Sequence, residues 1–215
     1  MILGYIEKAY YINLDYRTDR KDSFEKRVLD LGIPVERSEA VKFGENELNN
    51  PFNDKNWHKK MGCSYSHLNI IKLAKEQNLK NVWIFEDDCK FVDGFVEKAQ
   101  RCVDELKDLE WDVFYFGGEP NREAIPHSDL LVRTNGVYGA HSYLVNHTFY
   151  DKILNDHPEH SLLDIRYLAY NEYDKIFYLS KELLCLQDGN FESDLWGGKI
   201  NRDANYKLAY EMYIK

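Results

Sequence analysis

Three consecutive carboxylates, Glu86-Asp87-Asp88, close the apolar run Val82-Trp83-Ile84-Phe85. Acids at the mouth of a buried segment need a cation to face, and a metal ion carrying a phosphate supplies one. Lys80-Asn81 before the run, Cys89-Lys90 after it and the turn signal Asp93-Gly94 put the acids at a strand end. A solvated acidic loop would have the same composition, so the triplet needs company. Company lies upstream, where the strand-like stretch Ala9 to Leu14 opens into Asn13-Leu14-Asp15-Tyr16-Arg17-Thr18-Asp19-Arg20. In α/β proteins ligands gather at the C-terminal ends of strands. Asn13 and Asp15 suit a base or ribose, and Arg17 and Arg20 can offset phosphate charge with forked donors. A helix-capping cluster with surface ion pairs is the other reading of that stretch.

A third group, Gly62-Cys63-Ser64-Tyr65-Ser66-His67, lies between these two. The three in this order resemble glycosyltransferase family 25, which includes bacterial lipooligosaccharide galactosyltransferases and collagen hydroxylysine galactosyltransferases. Weaker similarity continues through Trp111-Asp112, Gly139-Ala140-His141-Ser142-Tyr143, Asp164 and Gln187 to Ser193-Asp194. The resemblance implies a GT-A-type fold, α/β and Rossmann-like, with a mixed, mostly parallel sheet flanked by helices in one domain over residues 1–215. It implies a UDP-sugar donor and inverting transfer of a hexose, galactose or glucose, to a hydroxyl of a glycan or hydroxylysine-type peptide. It also implies Mn2+ or Mg2+, with Asp88 and Glu86 as the expected ligands. Donor contacts are expected from Asn13, Leu14, Asp15, Arg17, Arg20, Ser66, Glu86, Asp87, His141 and Asp194.

Inversion needs a second acid, away from the triplet, to take the acceptor proton. Asp164 occupies the matching place, though a first-turn aspartate favoured by the helix dipole reads the same. His141 reads equally as a packed strand histidine, and His67 as a hydrogen-bonded core histidine. Two other classes fit the acids: a metal-dependent phosphohydrolase or nucleotidase, and a non-catalytic nucleotide-sugar binding module. The phosphohydrolase would want further histidine or lysine motifs, which the sequence does not offer.

Positioning these residues takes alternating strands and helices. Phe24, Val28 and Leu31 recur at helical spacing and stop at Gly32 and Pro34, before a strand near Val35 to Arg37. Lys42 to Lys60 has no period and reads as a long loop. Cys63, His67, Ile70, Ile71 and Ala74 share a helical face, as do Phe95, Ala99, Cys102, Val103 and Leu106. Trp111 to Phe116 reads as a strand. Beyond it, weaker patterns predict strands over His127 to Val132 and Tyr138 to Val145, and helices over Thr148 to Leu154 and Leu162 to Tyr170. One or two strands are expected over Tyr178 to Leu186, then a helix or lid from Gly197.

With 215 residues and 44% hydrophobic content, the chain can bury one large core. A net charge of −9 and a pI near 5.3 exclude a general polyanion binder, so neither nucleic acid nor anionic membrane is an expected partner. Sixteen tyrosines, eleven phenylalanines and four tryptophans suit an aromatic core as well as sugar stacking; the count alone does not choose. Cys63, Cys89, Cys102 and Cys185 lack paired spacing, which argues for reduced structural thiols rather than zinc. Glu7-Lys8 interrupts the only apolar N-terminal stretch, so the expected location is cytoplasmic.

Overall fold

Strand alternation sets the architecture. In β1 (Lys8–Asn13), Tyr10 and Ile12 join one apolar cluster while Ala9 and Tyr11 join another. In β3 (Asn81–Glu86), Val82 and Ile84 go with the first, Trp83 and Phe85 with the second. A strand apolar on both faces must be covered on both, which makes a helix–sheet–helix sandwich. The computed structural model describes residues 3–45, 47–134, 136–155, 162–170 and 175–214.

Between these strands lie α1 (Thr18–Asp30), β2 (Glu36–Glu39) and α2 (Trp57–Glu76). After β3 come β4 (Cys89–Phe91), α3 (Phe95–Leu106), β5 (Val113–Tyr115), β6 (Glu119–Pro120), β7 (Ile125–Pro126), β8 (Leu131–Arg133), β9 (Val137–Tyr138) and β10 (Ser142–Asn146). The chain continues through α4 (His147–Asn155), α5 (Leu163–Tyr170), β11 (Phe177–Ser180), β12 (Cys185–Gln187) and α6 (Asp203–Tyr213). The main sheet has the order β2-β1-β3-β10-β5-β11-β8-β7. β1 runs parallel to β2 and β3, and β5 parallel to β11, with β10 antiparallel between β3 and β5. β4 pairs with β12, and β6 with β9, in two small sheets outside it. Phe24 and Val28 of α1 and the apolar face of α3 cover the Trp83 side; Ile70, Ile71 and Ala74 of α2, with α4 and α5, cover the Ile84 side. No helix among the described residues is long and apolar enough to cross a membrane.

The expected α/β class is what the structure shows, with local corrections. α2 begins at Trp57, taking Trp57 to Lys60 from the expected loop, because Trp57 and Met61 are buried one turn apart. β2 lies at Glu36–Glu39 rather than Val35 to Arg37; it is a polar edge strand that carries no apolar period. The expected strand Tyr138 to Val145 is divided, since Gly139 at φ 88° turns the chain between β9 and β10. His127 to Leu130 forms a turn, with the His127 N–H on the Leu131 carbonyl at 3.1 Å, so only the end of that expected strand is β8. The tail from Gly197 contains α6.

Candidate active site

Period-two geometry divides the acids. Glu86 follows Val82 and Ile84 and turns toward α2, whereas Asp87 turns toward α1 and Asp88 sits in the turn leading to β4. Ile12 pairs with Glu86 across the parallel ladder, so Asn13 arrives beside the triplet.

Asn13 is buried and its amide is fully used. Its Nδ2 donates to Asp87 Oδ2 (2.7 Å) and to the Arg17 carbonyl (3.1 Å), while its Oδ1 accepts from Arg37 Nε (2.9 Å). Arg20 Nη1 reaches Asp87 Oδ1 at 2.8 Å and Asp88 Oδ2 at 3.3 Å, so a guanidinium faces two of the acids. Burial pushes the Asp87 carboxyl up from its ordinary value, with Arg20 and Asn13 pulling against it. Burial, and then the neighbouring Glu86, push Asp88 further, to about 7. Asp88 Oδ1 is buried without a hydrogen-bond partner. A carboxylate oxygen in that state is costly unless a proton or a cation joins it. The donor set therefore fits a hard divalent ion at Asp88, with Glu86 beside it.

Glu86 has a different neighbourhood. Its Oε1 lies 3.3 Å from His67 Nε2 and 3.9 Å from Cys63 Sγ, and its Oε2 accepts from Gln187 Nε2 at 3.1 Å. Burial pushes this carboxyl up, but the His67 and Gln187 hydrogen bonds and the nearby His141 outweigh it and hold Glu86 below the usual range. Gln187 is fixed in turn by the Tyr206 hydroxyl at 2.9 Å.

The Gly62–His67 segment works through three adjacent helical positions. A Cβ on Gly62 would stand 2.6 Å from the Val41 carbonyl oxygen, so only glycine lets α2 pass so close to the segment after β2. Ser66, one turn on, accepts the Val41 N–H at 2.8 Å. Ser64 Oγ accepts the Leu163 N–H at 3.1 Å and anchors the start of α5, where Asp164 sits. Cys63 and His67 face Glu86.

A cleft of about 680 Å³ opens over these groups at the C-terminal ends of β1 and β3. Asn13, Leu14, Arg20, Ser66, Glu86, Asp87, Asp88, Asp164 and Asp194 all line it. Asp164 stands in the first turn of α5, its Oδ1 accepting the Ile165 N–H at 2.8 Å. Burial pushes its carboxyl up, and Glu86 adds to the shift. Tyr16 Oη donates to Asp194, which is also paired with Arg17; Arg17 and Arg20 both donate to the Glu192 carbonyl at 3.0 Å. These contacts seat the 188–196 loop on the Asn13–Arg20 turn.

Three expected donor residues lie off the cleft lining. Asp15 is exposed and ion-paired with Lys42 at 2.7 Å, and Arg17 is spent on Asp19 and Asp194. His141 is fully buried, its Nε2 3.2 Å from the Cys185 carbonyl, and so is a packed histidine behind the wall. Ser66 lines the cleft, but its hydroxyl is used between Gly62 and Val41. Arg37 went unassigned in sequence, and Gln187 was marked only by the resemblance without a role, because each acts through a contact that only the fold creates, 24 and 101 residues away. The Cys63-to-His67 spacing of one helical turn was the available signal for that pair.

A cleft at the C-terminal strand ends of an α/β sheet is where proteins of this architecture place their ligands. The chain belongs to glycosyltransferase family 25: the model described as "Glycosyltransferase family 25 (LPS biosynthesis protein)" matches residues 6–157. Procollagen galactosyltransferase 1-A of Xenopus laevis is 28% identical over 193 residues, covering 79% of this chain and 31% of that protein. A glycosyltransferase 25 family member of Drosophila melanogaster is 26% identical over 180 residues, covering 74% and 29%. This chain thus spans about a third of the length of the relatives it matches. Among solved structures, the UTP-bound UGPase of Acinetobacter baumannii is similar at TM-score 0.49 and 12% identity, covering 96% of this chain and 91% of that one. A glycosyltransferase involved in glycosylation of the major capsid of PBCV-1 is similar at TM-score 0.48 and 10% identity, covering 95% and 98%.

Proposed function

We propose that this chain transfers a hexose, galactose foremost, from a UDP-sugar to an acceptor hydroxyl with inversion, and that it does so with Mn2+ or Mg2+. Family membership and relatives named procollagen galactosyltransferase support the reaction class. The observation that carries the reading is Asp88 Oδ1, buried without a partner on the floor of a cleft that holds a separate, half-buried carboxyl, Asp164, on another element. Asp88 and Glu86 would hold the ion, which when bound supplies Lewis-acid stabilisation of the departing diphosphate.

The chain's own residues do the rest. Asp164, ionised, removes the proton of the acceptor hydroxyl as its oxygen attacks the anomeric carbon and the bond to the diphosphate breaks. Asn13 and Asp87 shape the nucleotide side. Lys59 and Arg202 line the cleft, as do Lys42 and Lys60, paired with Asp15 and Asp54, and on exchanging those partners for a diphosphate they supply the local positive charge it requires in an acidic protein. The exposed rings of Tyr16, Tyr138 and Trp196 line the same cleft and offer flat faces to a glycan acceptor.

The test is UDP release from UDP-sugars in Mn2+, with and without a panel of glycan and hydroxylysine-peptide acceptors. Acceptor-dependent UDP release is expected. Release of inorganic phosphate, or binding without turnover on the whole panel, overturns the reading. Asp88→Ala should abolish the metal-dependent part of UDP affinity, and calorimetry showing unchanged affinity in Mn2+ would remove Asp88 from the site.

A further inference from the structure

The ion proposed at Asp88 involves neither Cys63 nor His67. Both project from one turn of α2 onto Glu86, and all three line the cleft. We propose that Cys63, His67 and Glu86 form a second site, sharing Glu86 with the one at Asp88, for a borderline divalent cation, zinc above the hard ions.

The three donor atoms, Sγ, Nε2 and a carboxylate oxygen, lie within 4.8 Å of one another. Tetrahedral zinc, with bonds of about 2.0–2.3 Å, needs its ligand atoms about 3.3–3.6 Å apart. The His67–Glu86 separation of 3.3 Å already meets this, and the Cys63–Glu86 separation of 3.9 Å needs only a small inward adjustment. Outer partners hold two of the ligands in place, as they do around built metal sites. The Tyr143 hydroxyl stands 3.0 Å from His67 Nδ1 and leaves Nε2 aimed at the cluster, while Gln187 occupies Glu86 Oε2, so that Oε1 is the oxygen turned to His67 and Cys63.

The ligand chemistry separates this site from the one at Asp88. A thiolate and an imidazole favour zinc or cobalt, whereas carboxylates and a diphosphate favour manganese or magnesium. Binding replaces the Cys63 thiol proton, which leaves to solvent, with a metal–sulfur bond. Three protein ligands leave a fourth position open toward the cleft. Because Glu86 serves both sets, zinc here withdraws it from the donor side and opposes manganese-supported transfer; that consequence, unlike the binding, rests on the transferase reading.

Chelator-stripped protein titrated with Co2+ tests the site without turnover. One equivalent should give a thiolate-to-cobalt charge-transfer band with tetrahedral visible bands, and zinc should displace it stoichiometrically. Cys63→Ser should lose the charge-transfer band, His67→Gln should weaken cobalt binding about tenfold or more, and Asp88→Asn should keep the band. Absence of the band in the unaltered protein overturns the proposal by itself, whatever the variants' folding. Its survival in Cys63→Ser, or its loss in a folded Asp88→Asn protein, overturns it too.

Discussion

Asp164 faces opposing demands, because burial holds its proton and the proposed reaction needs the proton gone. Its folded-state value is raised above the ordinary aspartate value, so the folded protein binds the proton more tightly than the unfolded chain does. The contribution to stability is therefore full below the unfolded value and lost as pH rises through the folded one. Where the side chain is ionised, its burial is a cost to the fold. Asp164→Asn should abolish acceptor-dependent transfer while leaving UDP affinity in Mn2+ intact. It should raise the melting temperature by a few degrees at about pH 7.5 and change it little near about pH 4. The acidic limb of the unaltered enzyme's pH–rate profile should lie above the ordinary aspartate range. Retained turnover in Asp164→Asn, or a melting temperature equally lowered at both pH values, would assign Asp164 to capping α5 instead. The triplet stood out in sequence as acids at a strand end and Asp164 through the family resemblance, and the fold brings both to one cleft. Arg37 was not, since an exposed-looking arginine on a polar edge strand acquires meaning only when β2 lies beside β1 and brings it to Asn13.

Among the elements, α2 organises the most of the site. Gly62 and Ser66 clamp the segment after β2, Ser64 anchors α5, and Cys63 and His67 point at Glu86. A methyl at Gly62 must push the Val41 backbone away, and backbone cannot yield as a flexible side chain does. Gly62→Ala should cost about 1–3 kcal/mol in denaturant unfolding and weaken donor binding as well, because the displaced segment carries cleft residues Val41, Lys42 and Phe43. Equal stability together with unchanged donor affinity would show that α2 and this segment move independently. The same contrast explains which elements the sequence announces. α3 keeps its apolar stripe of Phe95, Ala99, Cys102, Val103 and Leu106 because one face packs on the sheet. β6, β7 and β9 each span two residues and are held by pairing partners distant in sequence or across a turn, so no local period encodes them.

For the whole molecule, the charge balance makes ligand and stability one question. The chain carries a net charge of −9, and Glu86, Asp87, Asp88, Asp164, Asp188 and Asp194 are concentrated around one cleft with Arg20 as their innermost cation. Arg17 and Arg27 meet Asp194 and Asp188 at its edge, tying the C-terminal loop to α1 and its entry turn. Adding UDP alone brings further negative charge to these acids, whereas UDP with Mn2+ brings the cation proposed for Asp88, whose Oδ1 has no hydrogen-bond partner. Ligand at about a hundred times its dissociation constant stabilises a native state by about 2.7 kcal/mol. For a chain of this size that corresponds to a rise of about 5–10 °C in melting temperature. The combination should deliver a shift of that order, UDP alone far less, and Asp88→Ala should reduce the response to the combination to that of UDP alone. Calorimetric scans with each ligand singly and together decide it: equal shifts with and without the metal would mean that the cleft's cationic wall, Lys42, Lys59, Lys60 and Arg202, holds the diphosphate unaided, and that the buried acid at the end of β3 serves no ion.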